Sequence, residues 1–172
     1  EGICGAENVN CGEVAQDIWT QIKGAANTAY DRTNACSFTA FQAYEYTSAR
    51  NISNMHRNVI FRGDESLDKP ITLFEAPTPE ELWKALDESC IQQPGGCDVL
   101  AIPHNSNWSN GNMFQPLQDT VEDPEERVSL ARLRARMEPL VEMFQHKGDA
   151  ECRNDFADVL GDDDPLCTFE KM

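Results

Sequence analysis

Three side chains in this 172-residue chain have the types and positions expected of metal ligands. Glu45 lies between Tyr44 and Tyr46 in an otherwise uncharged run, where an ionised carboxylate is costly unless it is paired or bound to a metal. His56 and His104 each lie next to the end of a predicted strand. One carboxylate and two imidazoles suit zinc, manganese or iron. We therefore predict that these three side chains converge on a divalent metal.

Each of the three residues also has an interpretation without a metal. A histidine at a strand end is commonly a hydrogen-bonded loop residue. Glu45 could instead form a salt bridge with Arg57 or Arg62. The sequence leaves both alternatives open.

A second group of polar residues is assigned to contacts with a substrate or to support of the metal ligands. Lys147 and Asp149 could hold an anionic substrate or position a water, and a solvated turn is the alternative. Asn105 and Asn107 could contact ligands or substrate, and could equally form side-chain-to-backbone turns. The group comprises Arg57, Asn105, Asn107, Glu142, Lys147 and Asp149.

The elements that must position these residues are read from hydrophobic patterning. The apolar run 99–102 predicts a buried strand that stops at Pro103, directly before His104 and a polar loop. Strands are also predicted at 37–47, 59–62 and 140–144. Helices are predicted at 13–30, at about 78–90 with Thr78 as N-cap, and at 124–136. The inward positions of the first helix are Val14, Ile18, Ile22, Ala25, Ala26 and Ala29, and those of the last are Val128, Leu130, Leu133 and Met137.

Alternating helices and strands over a chain of this length predict one α/β domain, residues 1–172, with a mainly parallel sheet. The net charge of -16 disfavours nucleic acid and membrane surfaces as partners. No apolar run approaches the roughly 18 residues that a bilayer span requires.

Seven cysteines are many for a cytosolic protein of this size. Sequential pairing would join Cys4 to Cys11, Cys90 to Cys97 and Cys152 to Cys167, and would leave Cys36 unpaired. Three such disulfides imply an oxidising compartment. A structural zinc site is the weaker alternative, because the chain has no Cys-x-x-Cys pair.

Several motifs resemble, in order, those of a large bacterial family of secreted proteins of unknown function. That family is related to the polymerase and histidinol phosphatase (PHP) superfamily of metal-dependent phosphoesterases. The motifs are YEYTS (44–48), HRNVIFR (56–62), LW (82–83), AIPHNSN (101–107), SNG (109–111), MF (113–114), EPLVE (138–142) and KGD (147–149).

The resemblance implies a distorted TIM-like (PHP-type) barrel with two or three metals at the C-terminal ends of its strands. By motif, Glu45 would be a carboxylate ligand, and His56 and His104 imidazole ligands. The implied activity is hydrolysis of a small, phosphorylated substrate by a periplasmic or secreted enzyme. The alternative is a non-catalytic binding or scaffold module stabilised by its disulfides.

The chain departs from the family pattern, because it contains neither a His-x-His nor an Asp-x-His triplet. We therefore expect a partial barrel, truncated at both ends, that is the middle portion of a longer domain. Three ligands of a larger set would hold one metal weakly or none. Open sheet edges also predict a homo-oligomer.

Overall fold

The computed structural model describes residues 11–49, 53–106, 109, 112–143 and 145. In these residues, four helices, one π-helical segment and three short strands follow one another along the chain. They are α1 (Cys11–Ala29), β1 (Gln42–Tyr46), β2 (Arg57–Phe61), α2 (Pro79–Leu86), the π-helical segment (Asp87–Ile91), β3 (Val99–Pro103), α3 (Leu117–Thr120) and α4 (Pro124–Met137).

The three strands form an open sheet in the order β1-β2-β3, and both pairs are antiparallel. The prediction of a TIM-like barrel with mainly parallel strands is therefore wrong. The connection between β1 and β2, residues 47–56, contains no described helix and is too short for the crossover that parallel strands require. The connection from β2 to β3 does contain α2, yet β3 also pairs antiparallel to β2.

This topology brings three strand ends together. Since β1 and β3 both run opposite to β2, they run in the same direction on either side of it. The C-terminal ends of β1 and β3 therefore lie at the same end of the sheet as the N-terminal end of β2. Residues that follow β1, precede β2 and follow β3 become neighbours there.

One face of the sheet packs on the core and the other is open. Successive side chains of a strand point to opposite faces. On the core side, Tyr46, Val59, Phe61 and Ala101 are buried. Glu45, which alternates with these positions, is exposed and lies on the open face.

Helix α1 forms where it was predicted but packs with a different face. Trp19 is buried, with its ring 5.6 Å from that of Tyr44 and 5.9 Å from that of Phe61. The predicted inward stripe of Val14, Ile18 and Ile22 is instead exposed. The aliphatic spacing pointed to the wrong side because the sheet presents aromatic side chains that the Trp19 indole packs against.

Helices α2 and α4 begin at the predicted residues. Thr78 caps α2 in a capping box with Glu81, and Asp123 caps α4 through the backbone N–H of Glu125. Helix α4 buries Leu130 and Met137, as predicted. Its Val128 was expected to point inward but is 52% exposed.

Residues 140–143 of the predicted strand 140–144 form no strand, and residue 144 lies outside the described residues. The segment contacts the end of the sheet, where the backbone N–H of Glu142 donates to the Pro103 carbonyl at 3.1 Å. Leu140 and Met143 are exposed. The apolar composition indicated a buried strand, but this segment instead covers the end of β3.

The cysteine prediction is confirmed where the structure describes it. Cys90 and Cys97 form a disulfide, and Cys36 is free and exposed. The disulfide joins the π-helical segment to the loop before β3. The predicted pairs Cys4 to Cys11 and Cys152 to Cys167 lie outside what the structure describes.

Candidate functional site

Glu45, His56 and His104 meet at the end of the open face. The register pairs Tyr46 with Arg57 and Arg57 with Pro103, so His56 and His104 occupy the next row beyond the paired strands. The backbone N–H of His104 continues the ladder by donating to the His56 carbonyl at 3.2 Å. Side chains in this row share the face of Glu45, because two residues separate the rows of one face.

One oxygen of Glu45 faces both imidazoles. Glu45 Oε1 is 3.3 Å from His104 Nε2 and 3.8 Å from His56 Nδ1. The two rings are 5.1 Å apart between centroids. The histidine side chains are 17% and 22% exposed and that of Glu45 is 50% exposed, so the cluster is accessible to small molecules. The predicted convergence of these three side chains is therefore present.

The hydroxyl group of Thr47 contacts His56 on the β1 side of the cluster. Thr47, the residue opposite His56 in the extended register, places its Oγ1 3.0 Å from His56 Nδ1. The same imidazole nitrogen thus lies between a hydroxyl and the carboxylate of Glu45. This contact holds the His56 ring against β1.

Two residues that follow α4 lie at the other ring nitrogen of His104, the one that does not face Glu45. Gln145 Nε2 lies 3.1 Å from His104 Nδ1 and donates to Glu142 Oε2 at 2.6 Å. The same Glu142 oxygen accepts the backbone N–H of Asn105 at 3.2 Å. Sequence reasoning included Glu142 and Asn105 but missed Gln145. A glutamine three residues after an acid in a polar loop carries no distinctive signal.

Arg57 does not reach this cluster, because it lies on the core face of the sheet. Its Nε donates to Glu138 Oε1 at 2.8 Å, and both side chains are almost fully buried. Trp83 Nε1 donates to the same Glu138 oxygen at 2.8 Å. Arg57 therefore has a structural role here. Neither proposed arginine partner is bound to Glu45, since Arg62 is 3.7 Å from Asp98 instead.

The remaining predicted site residues cannot be placed. Asn107, Lys147 and Asp149 lie outside the described residues. Their predicted contacts with substrate stay predictions.

The donor set fits a divalent metal by its chemistry, although its present geometry is that of a hydrogen-bonded cluster. Zinc, manganese and iron accept a carboxylate with two imidazoles. Within the described part of the chain, however, no group of three or more His, Cys, Asp or Glu side chains is already arranged around a metal position. Instead, His104 Nε2 lies 3.3 Å from the Glu45 oxygen, and His56 Nδ1 contacts the Thr47 hydroxyl. Binding a metal would require small rotations of these side chains.

A separate cleft of about 710 Å³ opens on the core side. Ser48, Met55, Trp83, Asn112 and Arg134 are among its lining residues, and the three clustered residues are not. The buried guanidinium of Arg57 and the indole of Trp83, which also line this cleft, both donate hydrogen bonds to Glu138. This cleft and the candidate site are therefore different places.

These features define a disulfide-containing domain with a three-stranded antiparallel sheet and an acid-imidazole cluster on its open face. Residues 2–172 match the model of a family described as a protein of unknown function, DUF3604. The chain belongs to this family. No curated protein and no solved structure matches it.

The disulfide is compatible with an extracellular location. Among the helices of the described residues, none is both long enough and apolar enough to span a bilayer.

Proposed function

We propose that this protein is a metal-dependent hydrolase, most specifically a phosphoesterase, with Glu45, His56 and His104 as metal ligands. The observation that supports this is the approach of both imidazoles to Glu45 Oε1, at 3.3 and 3.8 Å. Ligands around one zinc ion, each about 2.0 to 2.2 Å from it, lie a little more than 3 Å from one another. The motifs resemble those of a family related to the PHP superfamily, and that relationship is the basis for the proposed reaction class.

When bound, a divalent metal would lower the pKa of a water molecule and stabilise the charge that develops at phosphorus. The side chains of the protein supply charge balance, access for substrate and orientation of the ligands. Glu45 contributes negative charge that offsets the cation, and its half-exposed side chain leaves an approach for substrate. The Thr47 hydroxyl holds His56, and the Gln145 amide holds His104, so both imidazoles are oriented.

We also propose a periplasmic or secreted location. The Cys90 to Cys97 disulfide supports it, because such bonds persist in oxidising compartments.

A non-catalytic binding or scaffold module is the second candidate function. The observation that favours it is that the cluster is already stabilised by its own contacts, from Thr47 to His56 and from Gln145 to His104. In that case Glu45 would supply a carboxylate beside the two imidazoles, at 3.3 Å from His104 Nε2 and 3.8 Å from His56 Nδ1. The cluster would then stabilise the open end of the sheet.

The two functions are separated by zinc or manganese binding and by hydrolysis of a simple phosphomonoester. We expect the wild-type protein to bind about one equivalent of metal and to release phosphate. Glu45→Gln, His56→Gln and His104→Gln should each lower both. Asp98→Asn is the matched control, because Asp98 pairs with Arg62 at the opposite end of the sheet. Equal metal content in the wild type and all three site variants would refute the hydrolase.

A further inference from the structure

The amide of Gln145 has one orientation imposed on it by Glu142. An amide nitrogen carries two hydrogens, and here one is directed at Glu142 Oε2, 2.6 Å away. An amide oxygen could not occupy that place, because an ionised carboxylate only accepts hydrogen bonds. The cost of this orientation is visible at the other end of the amide. Gln145 Oε1 is buried and has no hydrogen-bond partner among the described residues.

The second amide hydrogen determines which nitrogen of His104 is protonated. It is directed at Nδ1, 3.1 Å away, so Nδ1 must be the acceptor in a neutral ring. The ring proton is then on Nε2, which lies 3.3 Å from Glu45 Oε1. Gln145 thus donates to one ring nitrogen of His104, and the other ring nitrogen presents its N–H on the side of Glu45.

We propose that Gln145, oriented by Glu142, is a positioning residue that fixes His104 in the Nε2-protonated tautomer and thereby restrains metal binding at Nε2. This inference rests on the proposed function for its consequence, though not for the tautomer itself. A metal ligand must present a lone pair, and metal-bound histidines normally donate their other ring N–H to an acceptor. Here the group at Nδ1 is a donor. The chain thus holds the cluster in its hydrogen-bonded form, and the metal must displace that arrangement.

The sharpest test exchanges the amide and the carboxylate without changing composition or charge. In the double variant Glu142→Gln/Gln145→Glu, the amide introduced at position 142 can donate to the carboxylate introduced at position 145. That carboxylate can only accept, so the His104 proton should move to Nδ1. Because the Asn105 backbone N–H and Gln145 Nε2 both contact Glu142 Oε2, the amide introduced at position 142 must rotate so that its oxygen accepts from Asn105 and its nitrogen donates to position 145.

The tautomer is read from the ring ¹⁵N shifts of the metal-free protein, which distinguish a protonated ring nitrogen from an unprotonated one. The chain has three histidines, and His56 serves as the internal control because its contact with Thr47 is unchanged. We expect His104 to be protonated on Nε2 in the wild type and on Nδ1 in the double variant. A wild-type His104 protonated on Nδ1, or the same tautomer in both proteins, would overturn the proposal.

A zinc titration separates this inference from the function. In the double variant, Nε2 of His104 carries no proton and can bind a metal. This variant should therefore bind zinc roughly 10 to 100 times more tightly than the wild type. If the tautomer changes but neither protein binds zinc, the positioning role stands and the hydrolase does not. If the double variant fails to fold, Gln145→Met removes the donor alone. It should then shift His104 partly to the Nδ1 form, and an unchanged tautomer in it would equally overturn the proposal.

Discussion

Glu45 is a carboxylate that two imidazoles approach from different strands. Its neighbours Tyr44 and Tyr46 alternate onto the core face, so Glu45 itself lies on the open face, half exposed. The sequence indicated Glu45 because its run is otherwise uncharged, and His56 and His104 because each lies next to the end of a predicted strand. It could not indicate Gln145, since a neutral amide becomes informative only when its two partners are known.

Glu75 shows how local hydrogen bonds set the behaviour of a single acid. Partial burial opposes its ionisation, but hydrogen bonds from Lys69 and Thr72 prevail and lower the pKa of Glu75 to about 2. In the unfolded chain a glutamate has a pKa of about 4.3. Ionised Glu75 therefore adds stability above about pH 4.3, and this contribution is lost as the pH falls through about 2.

We accordingly expect the difference in free energy of unfolding between wild type and Glu75→Gln to be largest near neutral pH and to shrink between about pH 5 and pH 2. Urea unfolding across this range measures it. Asp68→Asn is the control for the loss of an exposed acid from the same loop. A difference that grows as the pH falls would contradict the assigned contacts of Glu75.

At the scale of elements, the direction of β2 decides whether a site forms. His56 precedes β2, whereas Glu45 ends β1 and His104 follows β3. In the parallel sheet that the sequence predicted, His56 would lie at the opposite end from the other two. The antiparallel pairing places all three together. The residues were thus predictable from their types, but their meeting depends on a strand direction that helix-strand alternation predicted wrongly.

The helix starts were predictable for a local reason. Thr78 and Asp123 cap their helices through bonds within three residues, so the signal is contained in the sequence nearby. The inward face of α1 was not predictable in this way. Whether the aliphatic stripe or Trp19 is buried depends on which surface the sheet presents to the helix. Packing of distant elements settled that choice.

Glu138 joins α2, α4 and β2 in the core. It accepts hydrogen bonds from Arg57 and Trp83, and its other oxygen lies 3.5 Å from Arg134 Nε. Glu138→Ala would leave the buried Arg57 guanidinium without its counter-charge. We expect a loss of about 3 to 5 kcal/mol in the free energy of unfolding, measured by urea denaturation.

The control for that experiment is Glu126→Ala, which removes only an exposed ion pair with Lys84. Its cost should be about 1 kcal/mol or less. Similar losses in the two variants would show that Glu138 does not hold the core together.

At the scale of the whole molecule, a disulfide adds stability to a fold whose sheet has three short strands. The Cys90 to Cys97 disulfide has a sequence separation of 7 and closes a short loop between the π-helical segment and β3. In the chain-entropy account, such a closure stabilises the fold by about 2 to 3 kcal/mol. The double substitution of both cysteines by alanine should lower the free energy of unfolding by about that amount.

Cys36→Ala is the matched control for the disulfide, because Cys36 is free and exposed. Its effect should stay within about 0.5 kcal/mol. A double variant as stable as the wild type would show that the disulfide contributes nothing to the fold.

The metal position itself gives the most direct test of the account. A crystal equilibrated with zinc and measured at the zinc absorption edge locates the ion by its anomalous scattering. We expect a peak about 2.0 to 2.2 Å from an oxygen of Glu45 and from one ring nitrogen each of His56 and His104. A zinc ion bound elsewhere, with these three side chains in their present positions, would contradict the proposed metal site.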